Sequence, residues 1–456
     1  MKLSDSRPNF YQSILFLFVF SLFIFSCNDD EPIVTTTTID DRLKSALIDQ
    51  SQGAGLDFFT MPASDDFNKI PQDPKNPLTA EKVALGQMLF HETALSVHSK
   101  VAEGALTYSC ASCHHAGGGF QACKPQGIGD GGAGYGTHGE GRDRYDFYQE
   151  SQVDVQPIRT PSAMNGAYQS VTLWNGQFGA GELNTGTEAN WTPGTPKEKN
   201  HLGYLGLEIQ AIAGLGVHRM DFTQEMAEDL GYMPLFNKVF SDFPEERRYT
   251  LETAGLAIAA YERTILSNQA PFQKWLRGDL HAMTEQEKNG AIVFFEKSNC
   301  ADCHTGPALS SDQFNAIGLN DLIGNHIFQS DPNSEAHQGR GGFTGRAEDM
   351  FAYKVPQLYN MQDSPFFGHG ASFTTMEAIV RYKNDAVKQN PKVPDSALDE
   401  TFVPQNLSEK DIEDLVAFLK DGLYDPDLYR YEPASILSGQ CFPNNDPISR
   451  DDLGCN

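Results

Sequence analysis

The pentapeptide Cys-X-X-Cys-His occurs twice in this chain of 456 residues, as Cys110-Ala111-Ser112-Cys113-His114 and as Cys300-Ala301-Asp302-Cys303-His304. At this spacing two cysteines add to the vinyl groups of one haem as thioethers, and the adjoining histidine reaches the iron from the proximal side. The competing reading is a pair of redox or zinc CxxC motifs. Zinc wants four ligands close together, whereas these pairs lie far apart in the sequence. Two covalently bound c-type haems are therefore expected, with His114 and His304 as proximal ligands.

The N-terminus fits the compartment in which such attachment takes place. Lys2 and Arg7 precede an apolar run from Ile14 to Phe25, and the small Ser26 follows. This pattern describes a secretory signal over 1–26, and the run is short for a membrane span. Ile24-Phe25-Ser26-Cys27 resembles a bacterial lipobox. Cys27 is then the lipidated first residue of an exported periplasmic or cell-envelope lipoprotein, anchored to the membrane by lipid. The alternative is an ordinary signal with an incidental cysteine. The stretch over 27–50, with Asn28-Asp29-Asp30-Glu31-Pro32 and the threonines Thr35 to Thr38, reads as a polar tether.

The formal net charge is −27. It argues against nucleic acid as a partner and either favours a basic electron donor such as a small cytochrome or cupredoxin or merely keeps the protein soluble. Of eight cysteines, Cys123, Cys441 and Cys455 have no assignment so far. Cys441 and Cys455 flank a Pro/Asn/Asp-rich tail and can pair in an oxidising compartment, although three cysteines leave the pairing open.

The haem motif is the only internal repeat, which suggests one haem per domain. The expected fold is mainly α: an N-terminal haem domain over 51–270, a C-terminal one over 271–430 and a tail over 431–456, both domains cytochrome c-like with long glycine-rich loops. Thr79-Ala80-Glu81-Lys82 opens a helix through Phe90. Leu251 to Leu266 is an apolar helix broken by Glu252, Glu262 and Arg263. Thr284 to Glu287 forms a capping-box pattern ahead of Cys300, and Ser408 to Asp411 starts another helix. Gly117 to Gly141 and Gly179 to Gly203 read as long loops.

Several segments together resemble the bacterial diheme cytochrome c peroxidases, including their methylamine-utilisation relatives. Leu85-Gly86-Gln87-Met88-Leu89-Phe90 with Leu95-Ser96 is similar to the entry motif of that family. Ser109 to His114 matches its first haem motif, and Arg159 to Asn165, Trp174 to Gln177, Tyr353 to Asn360, Phe366 to Gly370 and Thr375 to Glu377 match later ones. The resemblance implies that hydrogen peroxide is reduced to water at the N-terminal haem, with electrons entering at the C-terminal haem. Trp174 falls at a tryptophan that bridges the two, and an ordinary buried aromatic is the alternative. His138, in the glycine-rich loop, is the candidate removable distal ligand of the N-terminal haem, with a surface histidine as the alternative. Members are commonly homodimers.

The chain also departs from the pattern. A family glutamate that moves the peroxide proton is missing, and His218 or Arg219 falls there, depending on a one-residue gap. A histidine can carry the proton and an arginine can stabilise negative charge. The sixth ligand of the C-terminal haem, a methionine or tyrosine in the family, aligns with Lys383; Tyr382 lies one position earlier and is the choice made here, with Met376 further off. Thr160 replaces an asparagine ligand of a calcium ion between the domains, so any calcium would lean on main-chain carbonyls. Three functions follow: peroxidase, a high-valent diheme oxidase that modifies a protein or organic substrate, and a non-catalytic diheme electron carrier.

Overall fold

The computed structural model describes residues 38–455. The signal over 1–26 and the lipidation candidate Cys27 lie outside the described residues. Residues Ile39–Asn456 form one compact unit. Among the described residues thirteen α-helices follow in order: α1 Ile39–Gln50, α2 Ala80–His91, α3 Gly206–Val217, α4 Gln224–Asp229, α5 Met233–Val239, α6 Leu251–Glu262, α7 Pro271–Leu276, α8 Glu285–Ile292, α9 Cys300–Cys303, α10 Arg340–Thr344, α11 Met376–Asp385, α12 Glu409–Ala417 and α13 Pro447–Leu453. Among the described residues strands are confined to two short antiparallel pairs, β1 Gly132–Ala133 with β2 Asp143–Arg144, and β3 Phe314–Asn315 with β4 Tyr353–Lys354. The mainly α class holds, and the two glycine-rich segments contain no α-helix, only 3₁₀ stretches of three to seven residues and strand β1.

The expected helix starts are set by local chemistry. Thr79 Oγ1 accepts the Lys82 N–H at 3.2 Å and opens α2. Thr284 with Glu287, and Ser408 with Asp411, form reciprocal capping boxes at α8 and α12. The tether expected over 27–50 differs from the structure in its second half, which is α1. Leu43, Ala46 and Leu47 share one buried face, a spacing that suits a helix packed on a core, and Asp40 pairs with Lys288 of α8 at 2.8 Å.

Each haem motif is preceded by a helix that crosses a later one at a glycine. A Cβ on Gly86 of α2 would lie 1.8 Å from the Ala257 carbonyl oxygen of α6, and one on Gly290 of α8 would lie 1.9 Å from the Asp414 oxygen of α12. Only glycine lets these backbones approach so closely. Gly86→Ala and Gly290→Ala are each expected to cost about 1–3 kcal/mol through overpacking, read as a lower melting temperature by circular dichroism. A variant melting with the wild type would mean that the helices do not meet there.

The tail returns to the first haem motif. Pro443 accepts from Ser109 Oγ at 2.9 Å and Ser112 Oγ at 3.1 Å. Cys441 and Cys455 are joined as a disulfide, and Cys123 is a free, buried cysteine. Inside the tail, Asp446 accepts from Gly134 N, and Asp452 accepts from Tyr135 N and Gly136 N. The tail therefore pins the first glycine-rich loop.

Candidate active site

Both Cys-X-X-Cys-His motifs line one cavity of about 650 Å³. The His114 Nδ1–H donates to the Phe120 carbonyl at 3.1 Å, and the His304 Nδ1–H lies 3.0 Å from Leu309 O and 3.1 Å from Pro356 O. A carbonyl can only accept, so these bonds fix the tautomer and leave Nε2 free to bind iron. Burial lowers both imidazoles to about 4, which keeps them neutral, the form that ligates.

The cavity wall also fits the acidic edge of a haem. Arg159 and Lys354 are buried and line it. Arg159 Nη2 donates to Ser364 Oγ and Lys354 Nζ to Gln169 Oε1, while Arg159 Nε has no partner among the described residues. Burial pushes Lys354 down to about 8 and Arg159 to about 10. Buried cations need a counter-charge, and haem propionates supply that chemistry. Glu262, on α6, is buried on the same wall with Oε2 unpartnered. Burial, then its neighbour Glu208, raises its carboxyl to about 8.

The two residues aligned with the missing glutamate separate. His218 lines the cavity, and its Nδ1 faces Asp154 Oδ2 at 2.8 Å. Tyr108, two residues before Cys110, donates its hydroxyl to the His218 carbonyl at 2.9 Å, which places His218 beside the first motif. Burial would lower the imidazole pKa, but the Asp154 carboxylate outweighs it and holds the pKa above its ordinary value. Arg219 does not line the cavity. Its backbone takes φ 59° just beyond α3, and its guanidinium turns to Asp130 and to Gln152 O.

Trp174 lines the cavity, with its indole N–H donated to Arg159 O at 2.8 Å and its ring 6.3 Å from that of His369. His138 is exposed and absent from the cavity wall. Its loop packs against His115, the residue after the first motif. A Cβ at Gly139, where φ is +91°, would lie 2.2 Å from His115 Nε2. Tyr382 is likewise off the wall: its hydroxyl donates to Ile317 O, and its ring packs near Phe373 and Phe402. Lys383, the next residue, lines the cavity. Burial raises the Cys300 and Cys303 thiols, and the charge of Lys383 opposes that rise. Successive helix residues point about 100° apart, and here that turn leaves Lys383, not Tyr382, on the cavity.

Among the described residues no group of three or more His, Cys, Asp or Glu side chains is placed to hold a metal ion. Thr160 lines the cavity. Sequence reasoning missed Asp154, which carries no spacing signal; Arg159 and Lys354 lie in the matched segments Arg159 to Asn165 and Tyr353 to Asn360 but had no role assigned. Glu262 did leave one, as a carboxylate inside an apolar helix.

The family model for di-haem cytochrome c peroxidase matches residues 80–281. Over that span the chain is similar to the di-haem cytochrome c peroxidases; it is a cytochrome c peroxidase-like oxidoreductase, and that family implies two c-type haems. It is 28% identical to the methylamine utilization protein MauG of Methylorubrum extorquens over 375 residues, 81% of this chain and 84% of that protein. It is 29% identical to the cytochrome c peroxidase Ccp of Escherichia coli over 363 residues, 78% of this chain and 61% of that protein. The crystal structure of a MauG-like protein associated with microbial copper homeostasis shares the fold, with a TM-score of 0.55 and 23% identity over 85% of this chain and 98% of that one. Among the described residues no helix is long and apolar enough to cross a membrane.

Proposed function

We propose that this di-haem protein reduces hydrogen peroxide to water at the haem carried by Cys110, Cys113 and His114. Two electrons from an external donor enter at the haem of Cys300, Cys303 and His304, and two protons complete two waters. The observation that carries this reading is the single cavity lined by both motifs, with the His218–Asp154 pair beside the first of them. The bound haem supplies the iron at which peroxide is held and reduced. Asp154 holds the His218 Nδ1–H, so Nε2 is free to take the proton from one peroxide oxygen and return it to the leaving one. Arg159 and Lys354 balance the haem carboxylates. Trp174, fixed by its bond to Arg159 O, is the electron path between the two sites.

The protein is exported to the periplasm or cell envelope, with Cys27 as its lipid site, and its donor is a small basic cytochrome or cupredoxin. Residues 51–270 and 271–430 are its two haem domains. A second reading, an oxidase of a protein or organic substrate, is favoured by the matches to MauG proteins being as extensive as those to peroxidases.

The test is paramagnetic resonance of the oxidised and half-reduced holoprotein, with and without calcium, followed by peroxide turnover. One haem that opens to cyanide or peroxide, with turnover by a donor cytochrome, is the expected result. Two haems that stay closed in every redox state would leave only an electron carrier. Peroxide consumption that needs an added protein or organic substrate would favour the oxidase. Trp174→Phe is expected to lower turnover severalfold at unchanged haem content; unchanged turnover would exclude the indole as the electron path.

A further inference from the structure

The cavity lined by the second haem motif is also lined by α11, whose first turn is capped by Thr375 Oγ1 accepting from Ala378 N at 3.2 Å. Ile379, Val380, Lys383 and Asn384 of this helix line the cavity. They are spaced i and i+4, so they form one face. The other basic residue of the helix, Arg381, points outward and pairs with Glu377 and Glu409. Lys383 has no hydrogen bond or ion pair among the described residues; its Nζ lies 5.1 Å from the centre of the Phe402 ring. Its charge acts on Cys300, Cys303 and His304 together. His304 spends Nδ1 on main-chain carbonyls, so only its Nε2 can serve the iron. A second axial ligand, where one binds, would come from elsewhere. On the α11 wall the one side chain with a strong lone-pair donor is the amine of Lys383, since the amide of Asn384 donates poorly and the rest is apolar.

Resting on the reading that a haem is held by Cys300 and Cys303, we propose that Lys383 Nζ is the sixth ligand of that haem's iron, opposite His304. The neutral amine binds by its lone pair, giving up one proton to solvent. Tyr382 is a packing residue whose hydroxyl is spent on Ile317 O. This gives the electron-entry haem a histidine–amine pair, for which a lower reduction potential than histidine–methionine is expected, because methionine raises it.

The test uses the full-length holoprotein. Mass spectrometry first establishes two haems per chain; a wild-type chain carrying one overturns this proposal and the haem reading together. Low-temperature paramagnetic resonance and near-infrared magnetic circular dichroism then read the axial ligands. The wild type should show a low-spin histidine–amine signature at one haem. Lys383→Ala should turn that haem high-spin or open it to added imidazole. Lys383→Met should keep it low-spin, with the charge-transfer band of histidine–methionine ligation and a raised potential. Tyr382→Phe should leave the spectrum unchanged. A wild-type histidine–methionine signature, which would point to Met361 on the same cavity, overturns the proposal. So does a wild-type spectrum in both Lys383 variants with two haems retained, or a ligand change in Tyr382→Phe.

Discussion

Replacing His218 with glutamine should lower kcat/KM for hydrogen peroxide by about 10²–10⁴-fold, the usual contribution of a positioned acid–base group. Haem content should not change, because His218 holds neither cysteine motif. The proton shuttle needs a neutral Nε2, and Asp154 raises the pKa of this imidazole above its ordinary value. The form that can accept a proton therefore disappears as pH falls through that raised value. The acid limb of the kcat/KM profile should lie above the ordinary imidazole pKa of about 6.5. Asp154→Asn removes the charge that raises the pKa, and its amide oxygen can still accept the Nδ1–H. The limb should then move to lower pH, with a smaller loss of maximal rate than in His218→Gln. Wild-type turnover in His218→Gln, or a limb that stays in place in Asp154→Asn, would remove this pair from the proton path.

The separation of His218 from Arg219 shows where sequence reasoning stops. The haem motifs and the caps at Thr79, Thr284 and Ser408 were legible because each is a short-range pattern with its own chemistry. Choosing between His218 and Arg219 depended on a one-residue gap that no local pattern resolves. In the structure a left-handed turn at Arg219 and a buried acceptor at Asp130, far away in sequence, leave His218 and not Arg219 on the cavity. Tyr382 and Lys383 pose the same problem on a helix, where one position rotates the side chain out of the cavity. His138 sits in a plausible loop, yet the path of that loop is set by Asp446 and Asp452 of the tail. The tether reading missed α1 because its polar residues hid a narrow apolar face at Leu43, Ala46 and Leu47.

Replacing Arg263 with methionine should destabilise the protein by about 3–5 kcal/mol, the cost of leaving one partner of a buried ion pair uncompensated. Arg263 grips Glu208 with two bonds, Nε to Oε1 at 2.9 Å and Nη2 to Oε2 at 2.6 Å, and the side chains are 1% and 0% exposed. The pair ties α6 to α3, and further bonds from Arg263 to Pro71 O and from Asn76 to Glu208 tie both to the segment ahead of α2. Glu262, the neighbour of Arg263, lines the haem cavity with its carboxyl raised by burial and by Glu208, and opposed by Arg263. Removing the arginine thus leaves two buried acids without their shared cation. Glu208→Leu with Arg263→Met should recover most of the loss, since apolar packing can replace a buried pair at little cost. Chemical denaturation of the holoprotein reads both variants. A single variant within about 1 kcal/mol of wild type would mean that the pair is solvated as surface pairs are. A double variant as unstable as the single one would place the cost in lost shape at this helix crossing and not in the unpaired charge.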